Sequence, residues 1–192
     1  MASLDNVRCL QIDADQTVAL RHSVLWPNEP VSHVLLPEDS TGWHYGAFTD
    51  SHPAPVAVIS LFVERCPIDN DQDGAGSTGT QSKAIRFRKF ACAPEYQGQG
   101  IGTKLLLHAI SVVRSELDGA LLWCDARRAT KAWYERRGLK TFGDVFFKGP
   151  VEYIRMKIEI DSDTSSIPPR FNLTYSAIPA ALRDIVVIMA QP

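Results

Sequence analysis

Long hydrophobic runs are missing from this chain: every apolar stretch falls short of the roughly 20 residues that a helical bilayer span needs. No membrane partner is therefore expected. Charge of one sign is missing too, since 20 Lys and Arg stand against 22 Asp and Glu for a formal net charge of -2. Without a global basic bias, nucleic acid is not an expected partner either, and any anion site has to be local. Cysteine is scarce. Cys9, Cys66, Cys92 and Cys124 lie far apart and form no Cys-x-x-Cys pair, which argues against a metal site and for a reducing compartment. Residues Met1 to Asp5 carry no basic segment leading into an apolar one, so the cytoplasm is the expected location, with the nucleus open.

What is present is an ordinary globular balance, 45% hydrophobic and 22% charged over 192 residues, enough for one domain with a sizeable core and an appendage. The chain is organised around Gln97-Gly98-Gln99-Gly100-Ile101-Gly102. This segment closes an extended run, Ala84 to Ala93, and opens an apolar-periodic run reaching Leu117. A strand, a glycine turn and a helix start are expected. Glycine lets the backbone bend tightly, and the first N–H groups of a helix have no partner inside it, so an anion, most naturally phosphate, belongs on this turn.

The spacing separates the cofactor classes that use such turns. A mononucleotide loop needs Gly-Lys-Ser/Thr at the helix entry, whereas Gly102-Thr103-Lys104 stands here. A dinucleotide fingerprint needs a small residue at Thr103 and an acidic residue ending a second strand, but Glu116 and Asp118 fall at the end of the helix itself. The remaining pattern, Gln-x-x-Gly-x-Gly over Gln97 to Gly102, resembles the Gcn5-related N-acetyltransferases (GNAT). So does Leu122-Trp123-Cys124-Asp125-Ala126-Arg127, followed by Ala132 to Leu139 and Phe142 to Phe146. These words and Leu20 to Pro27 are most similar to a bacterial branch of the family. The resemblance covers about residues 7 to 158, with departures at Asp125, where the branch carries Asn, and at Val151 to Met156, where a histidine is lost.

That resemblance implies a mixed α/β (α+β) fold, a mostly antiparallel central sheet with a splayed strand pair, flanked by helices. Residues 1–160 would form an acetyl-coenzyme A-dependent N-acetyltransferase domain. It would contain a mobile insertion at 66–83 and be followed by an extension, 161–192, that packs on the domain, pairs two copies as a homodimer, or stays loose. Asp69 to Gly74 matches only the first half of a calcium loop, since Thr80 stands where a bidentate Glu is needed.

Strands are expected at Val7–Ile12, Trp43–Phe48, Val56–Glu64, Ala84–Ala93, Ala120–Cys124, Leu139–Phe147 and Val151–Ile160. Helices are expected at Ala14–Leu25, with Val18 and Leu25 inward, at Ile101–Leu117 and at Ala129–Arg137. The cofactor would lie against Gln97, Gly98, Gln99, Gly100, Ile101, Gly102 and Thr103. Phe90, Ala91 and Cys92 would offer main-chain contacts, and Arg127 and Lys131 would meet phosphates.

The chemistry that the resemblance implies is attack of a neutral nucleophile, usually a primary amine, on the thioester of acetyl-coenzyme A. An amine with a pKa near 10.4 is neutral in only about one molecule per few thousand at pH 7, so its proton has to be removed. Glu64, His44, His22 and Asp125 are the candidate bases beside water, and Arg21, His22 and His44 are candidate substrate contacts. Tyr134 occupies the position of the family's catalytic tyrosine, and its phenol, protonated at neutral pH, is a proton donor for the departing thiolate. The competing function is an acyl-coenzyme A binding or sensing module without turnover.

Overall fold

The computed structural model describes residues 6–67 and 83–160. The acidic segment 69–74, most of the expected insertion and the 161–192 extension lie outside the described residues. Among the described residues, seven strands form one sheet in the order β1-β2-β3-β4-β5-β7-β6. They are β1 Arg8–Ile12, β2 Trp43–Phe48, β3 Ala57–Val63, β4 Ala84–Cys92, β5 Leu121–Arg127, β6 Lys140–Lys148 and β7 Val151–Glu159. Three helices flank them: α1 Ala14–Leu25, α2 Ile101–Ser115 and α3 Lys131–Glu135.

Every neighbouring pair is antiparallel except β4 and β5. These two run parallel because α2 carries the chain back across the sheet between them, the connection a parallel pair requires. Their pairing is brief. Ala84, Ile85 and Arg86 meet Leu121, Leu122 and Trp123, and beyond Arg86 the ladder stops. Toward their C-terminal ends the two strands part, opening a wedge in the middle of the sheet. On its other edge β4 is bulged: the register with β3 shifts between Val58↔Ala91 and Ser60↔Arg88, and Lys89 takes φ +51° there. An extra residue in one strand bends it and leaves backbone groups outside the ladder.

The core lies mainly between the sheet and α2. Ile101, Leu105, Leu106, Ala109, Val112 and Val113 are buried, three- and four-residue steps that keep them on one helix face. They pack in one cluster with Ile59, Leu61, Ile85, Phe87, Leu122 and Cys124.

The first helix departs from its expected facing. Its inward residues are Thr17, Arg21, Val24 and Leu25, while Val18 is only half-buried. The spacing is helical, yet half the stripe is polar, so an apolar-face reading misplaces it. Arg21 has no exposed surface. Its guanidinium makes a bidentate pair with Asp39 at 2.8 and 3.0 Å, and also donates to Val34 O at 3.2 Å and Ser60 Oγ at 2.7 Å. A buried cation persists when its fork is met by a carboxylate and further acceptors in this way.

Other boundaries move. β5 extends through Asp125, Ala126 and Arg127, which the sequence reading placed after the strand, and β7's complete antiparallel pairing with it is the reason. The expected helix at Ala129–Arg137 is a 3₁₀ turn at Arg128–Thr130 followed by five residues of α3.

Candidate active site

The wedge between β4 and β5 separates two unlike surfaces. Along β5, Leu122, Cys124 and Ala126 belong to the core beneath α2, so Trp123, Asp125 and Arg127 point to the opposite face. Along β4, Phe87, Phe90 and Cys92 join the α2 side, whereas Arg86, Arg88 and Lys89 reach partners on the α1 side. Between the strands lies an open cleft whose lining includes Phe87, Lys89, Phe90, Asp125, Ala126 and Tyr134.

At one end of the cleft, past Cys92, stands the glycine turn. Gly98 and Gly100 have φ +72° and +83°, the left-handed region that a side chain resists, and Gly100 is the N-cap of α2. The first helical hydrogen bond is Lys104 N–H to Gly100 O at 3.0 Å, which leaves the N–H groups of Ile101, Gly102 and Thr103 ahead of the ladder. The turn is anchored by side chains. Gln97 Nε2 donates to Cys92 O at 2.9 Å, and Gln99 Nε2 to Glu95 O at 2.7 Å. A Cβ at Gly102 would meet Phe90 Cζ at 3.5 Å, so α2 starts in contact with β4.

Arg137, which the sequence reading did not single out, completes this end. Its Nε and Nη2 donate to Thr103 Oγ1 at 2.9 and 2.6 Å, and its guanidinium lies 3.6 Å over the Trp133 ring. Among the described residues no carboxylate comes within ion-pair distance of it. Burial and the neighbouring Arg136 lower its pKa to about 10. A guanidinium without an anion, set at the positive end of a helix, is an arrangement that a phosphate would relieve. Lys131 pairs with Glu135 at 3.0 Å on the surface, and Arg127 lies on the other face, hydrogen-bonded to Tyr153. Arg137 is therefore the better placed of the three cations for this turn.

Tyr134 sits inside the cleft on α3 with 3% of its surface exposed, its ring against Phe87 at 5.9 Å and Trp133 at 4.9 Å. Burial raises its phenol well above the ordinary value of 10.0, and it holds its proton throughout the physiological range. Cys92 is no nucleophile: burial, with Glu95 nearby, pushes its thiol to about 12.

The candidate bases are all engaged. Glu64 Oε1 accepts from Arg86 Nη1 at 2.6 Å, and its carbonyl takes the Trp123 indole N–H at 3.0 Å. Asp125 Oδ2 is met by Arg86 Nη2 and by Lys148 Nζ at 2.9 Å, with Arg155 Nε 3.6 Å from Oδ1. His44 is buried beneath the Arg21–Asp39 pair, Nδ1 at 2.8 Å from Ser60 Oγ and Nε2 at 2.9 Å from Asp39 O. One proton arrangement satisfies that cluster: Arg21 donates to Ser60, Ser60 to His44 Nδ1, and His44 Nε2–H to Asp39 O. His22 Nε2 lies 2.7 Å from Glu29 O. Arg21 and His44, expected as substrate contacts, are thus buried in a hydrogen-bonded cluster under α1.

Lys89 is the other group that the sequence reading missed. Set on the bulge and 5% exposed, it donates to His33 O at 3.2 Å, and among the described residues no carboxylate pairs with it. Burial, then Arg21 and Arg88, lowers its pKa from 10.5 to about 8. Between pH 8 and 10 the unfolded chain holds a proton here that the folded chain has largely released, so stability contributed through Lys89 rises with pH across that window. Replacing it by Met is expected to raise stability at pH 7 by about 2 kcal/mol and to remove that rise. Urea titrations of both proteins at pH 7 and pH 9.5 would check it, and equal stabilities at pH 7 would contradict it.

Residues 62–140 match the acetyltransferase (GNAT) domain family model. The Bacillus subtilis protein YitI, described as an uncharacterized N-acetyltransferase, is 26% identical over 137 residues, 70% of this chain and 83% of that one. The fold also matches solved structures. A candidate N-acetyltransferase of Lactobacillus plantarum superposes with a TM-score of 0.63 at 13% identity, over 81% of this chain and 99% of that one. NAA60 of Arabidopsis thaliana, solved in complex with acetyl-CoA, superposes with a TM-score of 0.62 at 10% identity, over 80% and 98%. The parted strand pair, the glycine-capped helix and the matched segment agree: this chain has the fold of the GNAT acetyltransferases and matches their domain model over residues 62–140.

Proposed function

We propose that residues 1–160 form an N-acetyltransferase domain that moves the acetyl group of acetyl-coenzyme A to a primary amine by direct attack on the thioester. The observation that carries this reading is the wedge itself. A strand pair abandoned after three residues leaves one edge of β4 open, with a glycine-capped helix at one end and a buried phenol on its wall. The pyrophosphate would be held by the N–H groups of Ile101, Gly102 and Thr103 with Arg137 beside them. The backbone of Phe90, Ala91 and Cys92 would align the pantetheine arm.

Bound acetyl-coenzyme A supplies an activated carbonyl whose oxygen gains negative charge when an amine adds. Backbone N–H groups near the bulge are the donors available to that oxygen. Tyr134 Oη offers the proton that the departing sulfur needs, and its apolar surroundings of Phe87 and Trp133 exclude water from the transfer. With Glu64 and Asp125 tied to arginine and lysine, water relayed through the polar face is the base we assign. The names of the similar proteins support acyl transfer to an amine, and NAA60's complex supports the donor. We place the protein in the cytoplasm, where its four free cysteines would stay reduced.

The test is release of free thiol from acetyl-coenzyme A in the presence of a panel of amines. Acceptor-dependent release is the expected result. Thermal stabilisation by acetyl-coenzyme A without any release would instead identify a binding or sensing module, and stabilisation by NAD or ATP would assign the turn to another cofactor.

A further inference from the structure

The α1-side face of the cleft is far more basic than the chain as a whole. Arg86, Arg88, Lys89, Arg127, Lys148 and Arg155 stand there, and the carboxylates that pair with them among the described residues are Glu38, Glu64 and Asp125. Composition does not explain this excess, because the whole chain carries a net charge of -2. Nor do pairs among the described residues absorb it. Asp125 is already matched by Arg86, Lys148 and Arg155, and Glu64 by Arg86. Among the described residues the one carboxylate in reach of Arg88 is the exposed Glu38 at 3.7 Å, and the buried Nε of Arg88 has no hydrogen-bond partner there. Lys89, nineteen-twentieths buried, contacts a carbonyl and the Trp26 ring, 6.0 Å away; among the described residues no carboxylate is within ion-pair distance, and Asp39, which acts on it from farther off, is already paired with Arg21.

A buried ammonium without a counter-charge is costly, and it is kept when something outside the fold supplies the anion. The coenzyme's phosphates are poor candidates for that role. The glycine turn lies past Cys92 on the α2 side, and Arg137 already serves it. We infer that the acceptor is a small amine carrying a carboxylate, with the carboxylate held at Arg88 and Lys89 while the amine enters the wedge beside Asp125. The inference rests on the transferase reading and adds a substrate class to it. The same field that draws a carboxylate inward repels polyamines and other multiply charged cations.

Three amines of equal length isolate the charge: β-alanine, 3-amino-1-propanol and 1,3-diaminopropane. The expected order of kcat/KM with acetyl-coenzyme A is carboxylate above alcohol above diamine, with at least about a tenfold gap between the first two. Arg88→Met combined with Lys89→Met is expected to bring that ratio near one. A flat series, or one led by the diamine, would overturn the assignment. Binding gives a readout that does not need turnover. With coenzyme A present, β-alanine should raise the melting temperature and 1,3-diaminopropane should not, and a protein stabilised by neither is evidence against a carboxylate site. Failure of acetyl-coenzyme A itself to bind would instead sink the transferase reading. Selective stabilisation by β-alanine would then still support an anion site on this face.

Discussion

Tyr134→Phe is expected to lower turnover by about 10²-fold or less and to leave the affinity for acetyl-coenzyme A unchanged. The variant removes one oxygen and keeps the ring, so the contacts with Phe87 and Trp133 that hold α3 against β4 survive. What disappears is a proton donor. A thiolate leaving group conjugate to a thiol of pKa about 8.5 departs more easily when a nearby acid protonates it, which is why the effect should fall on kcat and not on binding. The phenol is suited to this because burial holds its pKa well above 10.0, keeping it protonated throughout the physiological range. Single-turnover rates measured with a saturating amine are the check. Unchanged rates would reduce Tyr134 to a residue that shapes the cleft.

The glycine turn and α2 were legible in the sequence because local geometry and burial ask for the same residues there. Gly98 and Gly100 sit at positive φ, and the buried stripe from Ile101 to Val113 is apolar at helical spacing. The polar interior was not legible. Thr17 and Arg21 face inward on α1, and an arginine on a helix reads as surface until its partners are known. Those partners, Asp39 and Ser60, lie 18 and 39 residues away and meet it only once β2 and β3 are paired.

Asp125 shows the same limit. It reads as a residue in a loop, yet it lies within β5, and the lysine and arginine that meet it come from β6 and β7. Lys89 and Arg137 escaped notice for a related reason. Each stands in a stretch rich in basic residues, Arg86 to Lys89 and Arg136 to Arg137, and only the fold shows that Lys89 is buried and that Arg137 reaches Thr103. The apolar scaffold is written in periodicity, whereas this charged lining is written in tertiary contacts, which a single sequence does not display.

Thr103→Glu separates the stability of the glycine turn from its proposed ligand. Position 103 is the third residue of α2, where a carboxylate interacts favourably with the helix dipole by about 0.3–1 kcal/mol. Arg137, already within 2.9 Å of the Thr103 hydroxyl, would gain a charged partner in place of a neutral one. The unliganded variant should therefore melt no lower than the parent. Coenzyme binding should suffer the opposite fate, because two like charges about 5 Å apart at an effective dielectric near 20 repel by about 3 kcal/mol, or about 10²-fold in affinity. Arg137, once paired, would also have less to offer a phosphate. Calorimetric titration of coenzyme A into both proteins, alongside their melting curves, measures the two halves together. Retained affinity would place the phosphates elsewhere, and a lowered melting temperature with weakened binding would mean only that the turn had been damaged. A protein at least as stable that no longer binds the coenzyme would establish that the positive end of α2 and the carboxylate-free Arg137 serve a bound phosphate.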